Sequence, residues 1–220
     1  MMSPFANISA REKKNLLSLL KVHIYNFDVN YDILGVIKND DVIGIIDEGA
    51  AEIRHVNYNG EVYITELLEE DSIFSTTISS INNDEFEMIT TDKTTIIVID
   101  YSNLINQEHL TKSYYNTFIQ NLFMIINEKT KEKNERIRIL TKKTIRNKLL
   151  EYFKIMQSNN HSKNIYLPFN YKDLADYLAI DRCAMARELK YMKEEGFIEI
   201  KGKRITLLYW KRFLAMLSCL

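Results

Sequence analysis

Cysteine is nearly missing from this chain: 220 residues contain two, Cys183 and Cys219. Two thiols so far apart build neither a disulfide framework nor a four-thiolate cluster, and they point to a reducing, cytoplasmic compartment. Proline is as scarce, at two residues, and glycine stands at six, which argues against a disordered or loop-rich scaffold. No apolar run approaches the roughly 20 residues that a membrane helix requires, so no membrane partner is expected. The opening "MMSPFANISAREKKNLLSLL" lacks the basic, then apolar, then small-residue order of a signal peptide, and export is not expected. A Gly-rich phosphate loop, a nucleophile elbow, a His-x-x-x-His pair and a recognisable triad are all absent from the sequence. The chain is therefore not expected to be an enzyme, and no metal or cofactor is expected.

What the chain does have is an ordinary globular composition, 46% hydrophobic and 27% charged, and length enough for one large domain or two modest ones. Its formal net charge of −1 hides an asymmetry. Residues 1–135 carry 11 Lys+Arg against 22 Asp+Glu, a net of −11, whereas residues 136–220 carry 18 against 8, a net of +10. A basic half of that size suits a polyanion, carried by an acidic half with another task.

Patterning divides the chain further. Ser9-Ala10-Arg11-Glu12 is a capping box ahead of Leu16, Leu17, Leu19 and Leu20, which predicts a short first helix. From about 27 to 101 the runs are short and β-like: "DVIGIIDEGAAEIRHV" as two strands about a turn at Asp47-Glu48-Gly49, then "VYITELL", "EFEMIT" and "TTIIVIDY". "NYNGE" (57–61) has the Asn-Gly of a hairpin turn. Many short strands without intervening helices predict an antiparallel sandwich or roll. Residues 103–136 contain no Gly or Pro, and Leu110, Tyr114, Phe118, Leu122 and Ile125 recur at helical spacing, widened by Tyr115, Phe123 and Ile126. A helix of that length spans about 50 Å at ~1.5 Å per residue. A roll of this size does not cover it all, so Tyr114, Phe118, Leu122 and Ile125 are expected at a homodimer contact; the alternative is that the helix lies on its own domain. The domains are thus 1–102, a β-roll; 103–136, a dimerisation helix; and 137–220, a DNA-binding unit closed by "YWKRFLAMLSCL".

Within the basic unit, "NYKDLADYLAIDRCAMARELKYMKEEGFIEIKGKRI" carries the function. Asn170 is an N-cap with Asp173 in the first turn, Ala179-Ile180 forms a tight turn, and Asp181 caps a second helix. On that helix Met185, Leu189 and Met192 share one face, while Cys183, Ala186, Arg187 and Lys190 lie opposite and Arg182 stands at the margin. Two short helices, a tight turn and a basic outer face make a helix-turn-helix; the hairpin that follows makes it a winged helix. Small Ala184 and Ala186 let the backbone approach a major groove about 12 Å wide, and an arginine fork matches guanine O6 and N7. Arg182 and Arg187 are the candidates for base readout from double-stranded DNA. Lys190 and the hairpin tip Lys201-Gly202-Lys203-Arg204 are candidates for phosphates, and Lys142, Asn170, Tyr171 and Lys172 are further candidates for DNA contact.

The whole chain resembles the Crp/Fnr family of bacterial transcription regulators. "LADYLAIDRCAMARELKYMKEEGFIE" is similar to the family's recognition pattern, and the resemblance places Arg182 and Arg187 on its two DNA-contacting arginines. It implies an α+β fold: an N-terminal antiparallel β-roll like a cyclic-nucleotide-binding jelly roll, a long dimer helix and a C-terminal winged helix-turn-helix. It also implies a homodimer on pseudo-palindromic promoter sites, and a contact with RNA polymerase if the protein is an activator. Members that bind cyclic AMP carry a phosphate cassette with Gly-Glu and an arginine. Here Ser75 and Thr76 stand at the first positions and Phe86 or Glu87 at the last, and Glu85 and Glu87 repel a phosphodiester. The expected effector is therefore one other than cAMP, or none. Ser75, Thr76, Thr77, Phe86 and Glu87 are the candidate pocket, with strand-edge roles as the alternative. Four cysteines for an iron–sulfur cluster are lacking, and His23, His55, His109 and His161 are isolated. Cys183 stands where many relatives have glutamate, either as a redox-responsive thiol or as a small residue at the groove. The rival reading is a ligand-sensing module whose winged helix binds protein instead of DNA.

Overall fold

The computed structural model describes residues 2–37, 41–56, 58, 60, 62–76, 85–106, 110–167 and 170–208. The chain divides into two units, Met1–Asn127 and Glu128–Leu220. The expected turn at 57–61, His109 and the closing segment with Cys219 lie wholly or partly outside the described residues.

The first unit opens with α1 (Ala10–Leu19). Its capping box is complete: the Ser9 hydroxyl accepts from the Glu12 amide and the Glu12 side chain accepts from the Ser9 amide. Then come β1 (His23–Phe27), the one-turn α2 (Leu34–Ile37), β2 (Val42–Glu48), β3 (Ala51–Val56), β4 (Val62–Leu68), β5 (Ile73–Ser75), β6 (Phe86–Thr90) and β7 (Thr94–Asp100). They form two antiparallel sheets, ordered β1-β7-β2-β5 and β4-β3-β6. Although β2 and β3 are neighbours in sequence, they belong to different sheets. Gly49 makes that corner with φ +86, and a Cβ there would stand 2.2 Å from the Lys93 carbonyl oxygen.

Strand β7 shows why the first sheet reads as an unbroken apolar run. Ile96 and Val98 pack inward with Phe27, Ile46, Ile53, Phe74 and Met88, between the sheets. Ile97 and Ile99 face the other way, onto Leu16 of α1, its C-cap Leu20, and Phe118, Leu122 and Ile125. A strand covered on both faces has no polar alternation to show. Gly44 of β2 leaves the room that the Phe74 ring occupies, since a Cβ there would lie 2.0 Å from its Cζ.

After the four-residue helix α3 (Tyr101–Leu104), the long helix α4 runs from Ser113 to Leu140, not from 103 to 136. No Gly or Pro marks the interruption. The Leu104 carbonyl accepts from the Tyr115 hydroxyl, which pins the end of α3 against the start of α4. Of the stripe expected at a subunit contact, Phe118, Leu122 and Ile125 are buried in their own unit, and Tyr114 is half-buried against the same cluster. The apolar side chains that α4 turns outward in this unit are Phe123 and Met124, 65% and 56% exposed.

The second unit contains the end of α4, then α5 (Ile145–Asn160), β8 (Asn164–Tyr166), α6 (Tyr171–Tyr177), α7 (Arg182–Glu194), β9 (Ile198–Lys201) and β10 (Arg204–Leu207). Its sheet is ordered β8-β10-β9, and its core joins Leu149, Phe153, Leu174, Leu178, Met185, Leu189, Met192 and Ile205. The fold class is therefore the expected one: antiparallel β-sheets, a long helix and a winged helix-turn-helix.

Candidate nucleic-acid interface

Each helix of the α6–α7 pair starts on a side-chain cap. The Asn170 carbonyl oxygen accepts from the amides of Lys172 and Asp173, both at 2.9 Å, and Asp181 accepts from the Ala184 amide at 2.8 Å. Asn170 thus spends its acceptor on the helix, and its amide nitrogen donates to Asp173 at 2.6 Å. The turn between the helices bends at Ala179, which adopts the left-handed φ of +49. That geometry ordinarily favours glycine.

Once capped, α7 divides by chemistry. Met185, Leu189 and Met192 are buried, while Arg182, Cys183, Ala186, Arg187 and Lys190 are exposed and Ala184 is half-buried. Arg182, Ala186 and Lys190 border a cleft of about 430 Å³ that also takes in Tyr171, Ile200 and Lys193. Lys193 was not expected from sequence, although it falls one turn after Leu189 on the same helix. Tyr171 is half-buried, its ionisation pushed up by burial, and its hydroxyl donates to the Gly202 carbonyl at 2.9 Å, tying α6 to the wing.

The wing places its cations unequally. Gly202 turns the tip with φ +59, and Lys203 beside it is exposed. Lys201 pairs with Glu199 at 2.8 Å, which holds that carboxyl below its usual range. Arg204 is withdrawn: it is half-buried and its Nε is shut from solvent without a hydrogen-bond partner. Lys142 is likewise engaged elsewhere, 3.6 Å from the buried carboxylate of Glu151, which also binds Arg138. Lys172 is exposed on α6.

Arg146, at the start of α5, was not singled out from sequence. It donates to Glu188 through Nε, and through its two terminal nitrogens to Glu195 at 2.9 and 2.7 Å. The hydrogen bonds with Glu195 raise its already high pKa most, and Arg146 in turn holds the Glu195 carboxyl below the usual range. The available signal was the seven-residue step from Glu188 to Glu195, two helical turns, which sets the carboxylate on α7 and that of its C-cap on one side.

In the roll, two of the candidate pocket residues, Ser75 and Thr76, are drawn into the fold. Ser75 is 7% exposed and Thr76 fully buried, and the Thr76 hydroxyl meets both the amide and the carbonyl of Val42. Phe86 packs against the inter-sheet core and tilts onto His55 with centroids 5.0 Å apart, and Glu87 sits across from Arg54 in the β3–β6 register. Thr77 lies outside the described residues.

The first unit is thus a roll of two antiparallel sheets, and the second is a winged helix-turn-helix whose outer face is basic. Residues 147–216 match the Crp-like helix-turn-helix domain. No curated protein matches the chain. Among solved structures, an OCPA-complexed CprK variant is 12% identical, with 92% of this chain and 93% of that one covered and a TM-score of 0.61. A CooA mutant from Carboxydothermus hydrogenoformans is 16% identical over 90% and 89%, with a TM-score of 0.54. The catabolite activator protein of Thermus thermophilus is 15% identical over 98% and 97%, at 0.50. Residues 147–216 are thus a Crp-like helix-turn-helix domain, and the chain shares the fold of these three proteins.

Proposed function

We propose that this protein is a sequence-specific DNA-binding transcription regulator that acts as a homodimer on pseudo-palindromic promoter sites. Arg182 and Arg187 read bases, and Lys190, Lys193 and Lys203 neutralise phosphates. The observation that carries this reading is the division of α7. Its methionines and Leu189 are fixed in the core, so both arginines remain exposed beside the small side chains Cys183 and Ala186. Two such helices about one DNA turn apart, roughly 34 Å, read a two-fold site. Phe123 and Met124 on α4 supply the second copy's contact, since the inward stripe is already covered. The effector is one other than cAMP, or none, because the cassette positions hold hydroxyls and carboxylates and the Thr76 hydroxyl is committed to β2.

Selection of bound sequences from random DNA, followed by salt-titrated gel shifts, tests the reading. Arg182→Ala relaxes preference at one position of each half-site, a difference of about 1–3 kcal/mol between right and wrong base. Lys203→Ala weakens all sequences alike and lowers the salt slope by about one. Retention on DNA that ignores salt, or an equal loss on every sequence from Arg182→Ala, removes base readout and leaves the rival in which the winged helix binds protein.

A further inference from the structure

A second cleft, also about 430 Å³, opens in the Glu128–Leu220 unit away from the basic face of α7. Its walls are the end of α4, with Glu132, Lys133, Glu135 and Arg136; α5, with Tyr152, Met156 and Asn159; and Tyr177 of α6. The volume suits a small molecule. Nothing in the DNA-binding arrangement uses these residues.

Three observations define what would fit. Tyr152 is 3% exposed, and its hydroxyl is shut from solvent with no hydrogen-bond partner. A buried phenol left in that condition is a donor in want of an acceptor. Burial also pushes its ionisation far up, so the group keeps its proton. Next, the cleft offers aromatic surface: Tyr152 and Tyr177 meet edge to face at 6.0 Å, and the Arg136 guanidinium lies 5.2 Å from the Tyr177 ring centroid. Guanidinium planes and tyrosine faces both accept a flat ring. Finally, the rim charges cancel, with Glu132 and Glu135 against Lys133 and Arg136. A balanced rim selects neither an anion nor a cation.

We propose that this cleft is a binding site for a small, neutral, flat aromatic molecule that carries a carbonyl oxygen. The ring takes the place of the exposed Arg136 side chain on Tyr177, and the oxygen accepts from the Tyr152 hydroxyl. Because the walls come from α4, α5 and α6, an occupant ties the end of the long helix to the helix that precedes the recognition helix.

The test uses the full chain with its tyrosine rings carbon-13 labelled, titrated with benzamide in the absence of DNA. The expected result is saturable shifts of the Tyr152 and Tyr177 ring signals at millimolar benzamide. Cyclohexanecarboxamide, which keeps the carbonyl but is not flat, binds at least five-fold more weakly. Tyr152→Phe removes only an unpartnered hydroxyl, so it keeps the fold and the melting midpoint, and it weakens benzamide at least five-fold. Arg136→Ala removes the side chain that the ring displaces, so it leaves benzamide binding at least as tight; a loss as large as that of Tyr152→Phe counts against the stacking on Tyr177. Absence of saturable shifts at the two tyrosines, or equal affinity in Tyr152→Phe, overturns the proposal. Neither result touches the DNA reading, which has separate probes.

Discussion

Replacing Arg146 by methionine keeps the length and the apolar stem of the side chain while deleting the charge that joins α5 to α7. The loss can be sized from the geometry. Arg146 is 28% exposed, Glu188 21% and Glu195 42%, so this network is neither buried nor freely solvated. A fully exposed pair contributes about 0.2–1 kcal/mol, and a charge-assisted, bidentate one stands at the upper end. Two pairs sharing one guanidinium, discounted for the exposure of Glu195, come to about 1.5 kcal/mol. For a chain of this length that lowers the melting midpoint by about 3–6 °C. The pH dependence has a definite sign. Glu195 is held below its ordinary range in the folded state, so its stabilisation is complete above the unfolded value of about 4.3 and is lost as pH falls through the folded one. The gap between the native protein and the variant is therefore full at pH 7 and closes in acid. Salt narrows it too, because the network is partly solvated. Calorimetry at pH 7 and about pH 2.5, each at low and high salt, measures all of this, and Glu195→Gln in the Arg146→Met background should add almost nothing. A gap that persists unchanged in acid and in salt would refute the electrostatic account and leave only the packing of the Arg146 stem.

A related prediction concerns order as much as size. Glu151 has a side chain only 4% exposed, held by Arg138 and Lys142, which are 52% and 39% exposed. Arg138→Met strands a buried carboxylate with one longer partner and should cost about 2–3 kcal/mol, whereas Glu151→Gln frees two cations that can reach water and should cost about 1–2 kcal/mol; urea midpoints in the reverse order contradict this. In the helix-turn-helix corner, Ala179→Gly relieves a left-handed residue at φ +49 and should stabilise by about 0.5–1 kcal/mol despite the added freedom of the unfolded chain. A fall in the melting midpoint would show that the turn does not need that conformation.

Which parts of this architecture were legible in the sequence follows from how local their causes are. Ser9 and Glu12 are three residues apart and bond each other, so the α1 cap could be read directly. The same holds for Asn170 and Asp181, whose acceptors reach amides two and three residues on. Strand β1 begins at His23, several residues before the expected start of the roll, because its pairing partner is β7, some seventy residues away. The split of β2 and β3 into different sheets depends on the approach of Gly49 to Lys93, which no local pattern announces. Arg146 met Glu188 and Glu195 by the same kind of long-range approach.

The long helix marks the boundary between the two cases. Apolar residues at steps of three and four state that one face of α4 is dry, and Phe118, Leu122 and Ile125 are dry. The pattern does not state what dries them, and the cover proves to be α1 and the outer face of the β2–β7 sheet. The recognition helix escaped this ambiguity because both of its faces carry information. Met185, Leu189 and Met192 specify burial, and Arg182, Arg187 and Lys190 on the other side cannot be buried without partners for three charges. No rotation of α7 satisfies both requirements except the one observed. An amphipathic helix with a charged outer face is therefore oriented by its own sequence, and one with a merely apolar stripe is oriented by whatever it meets.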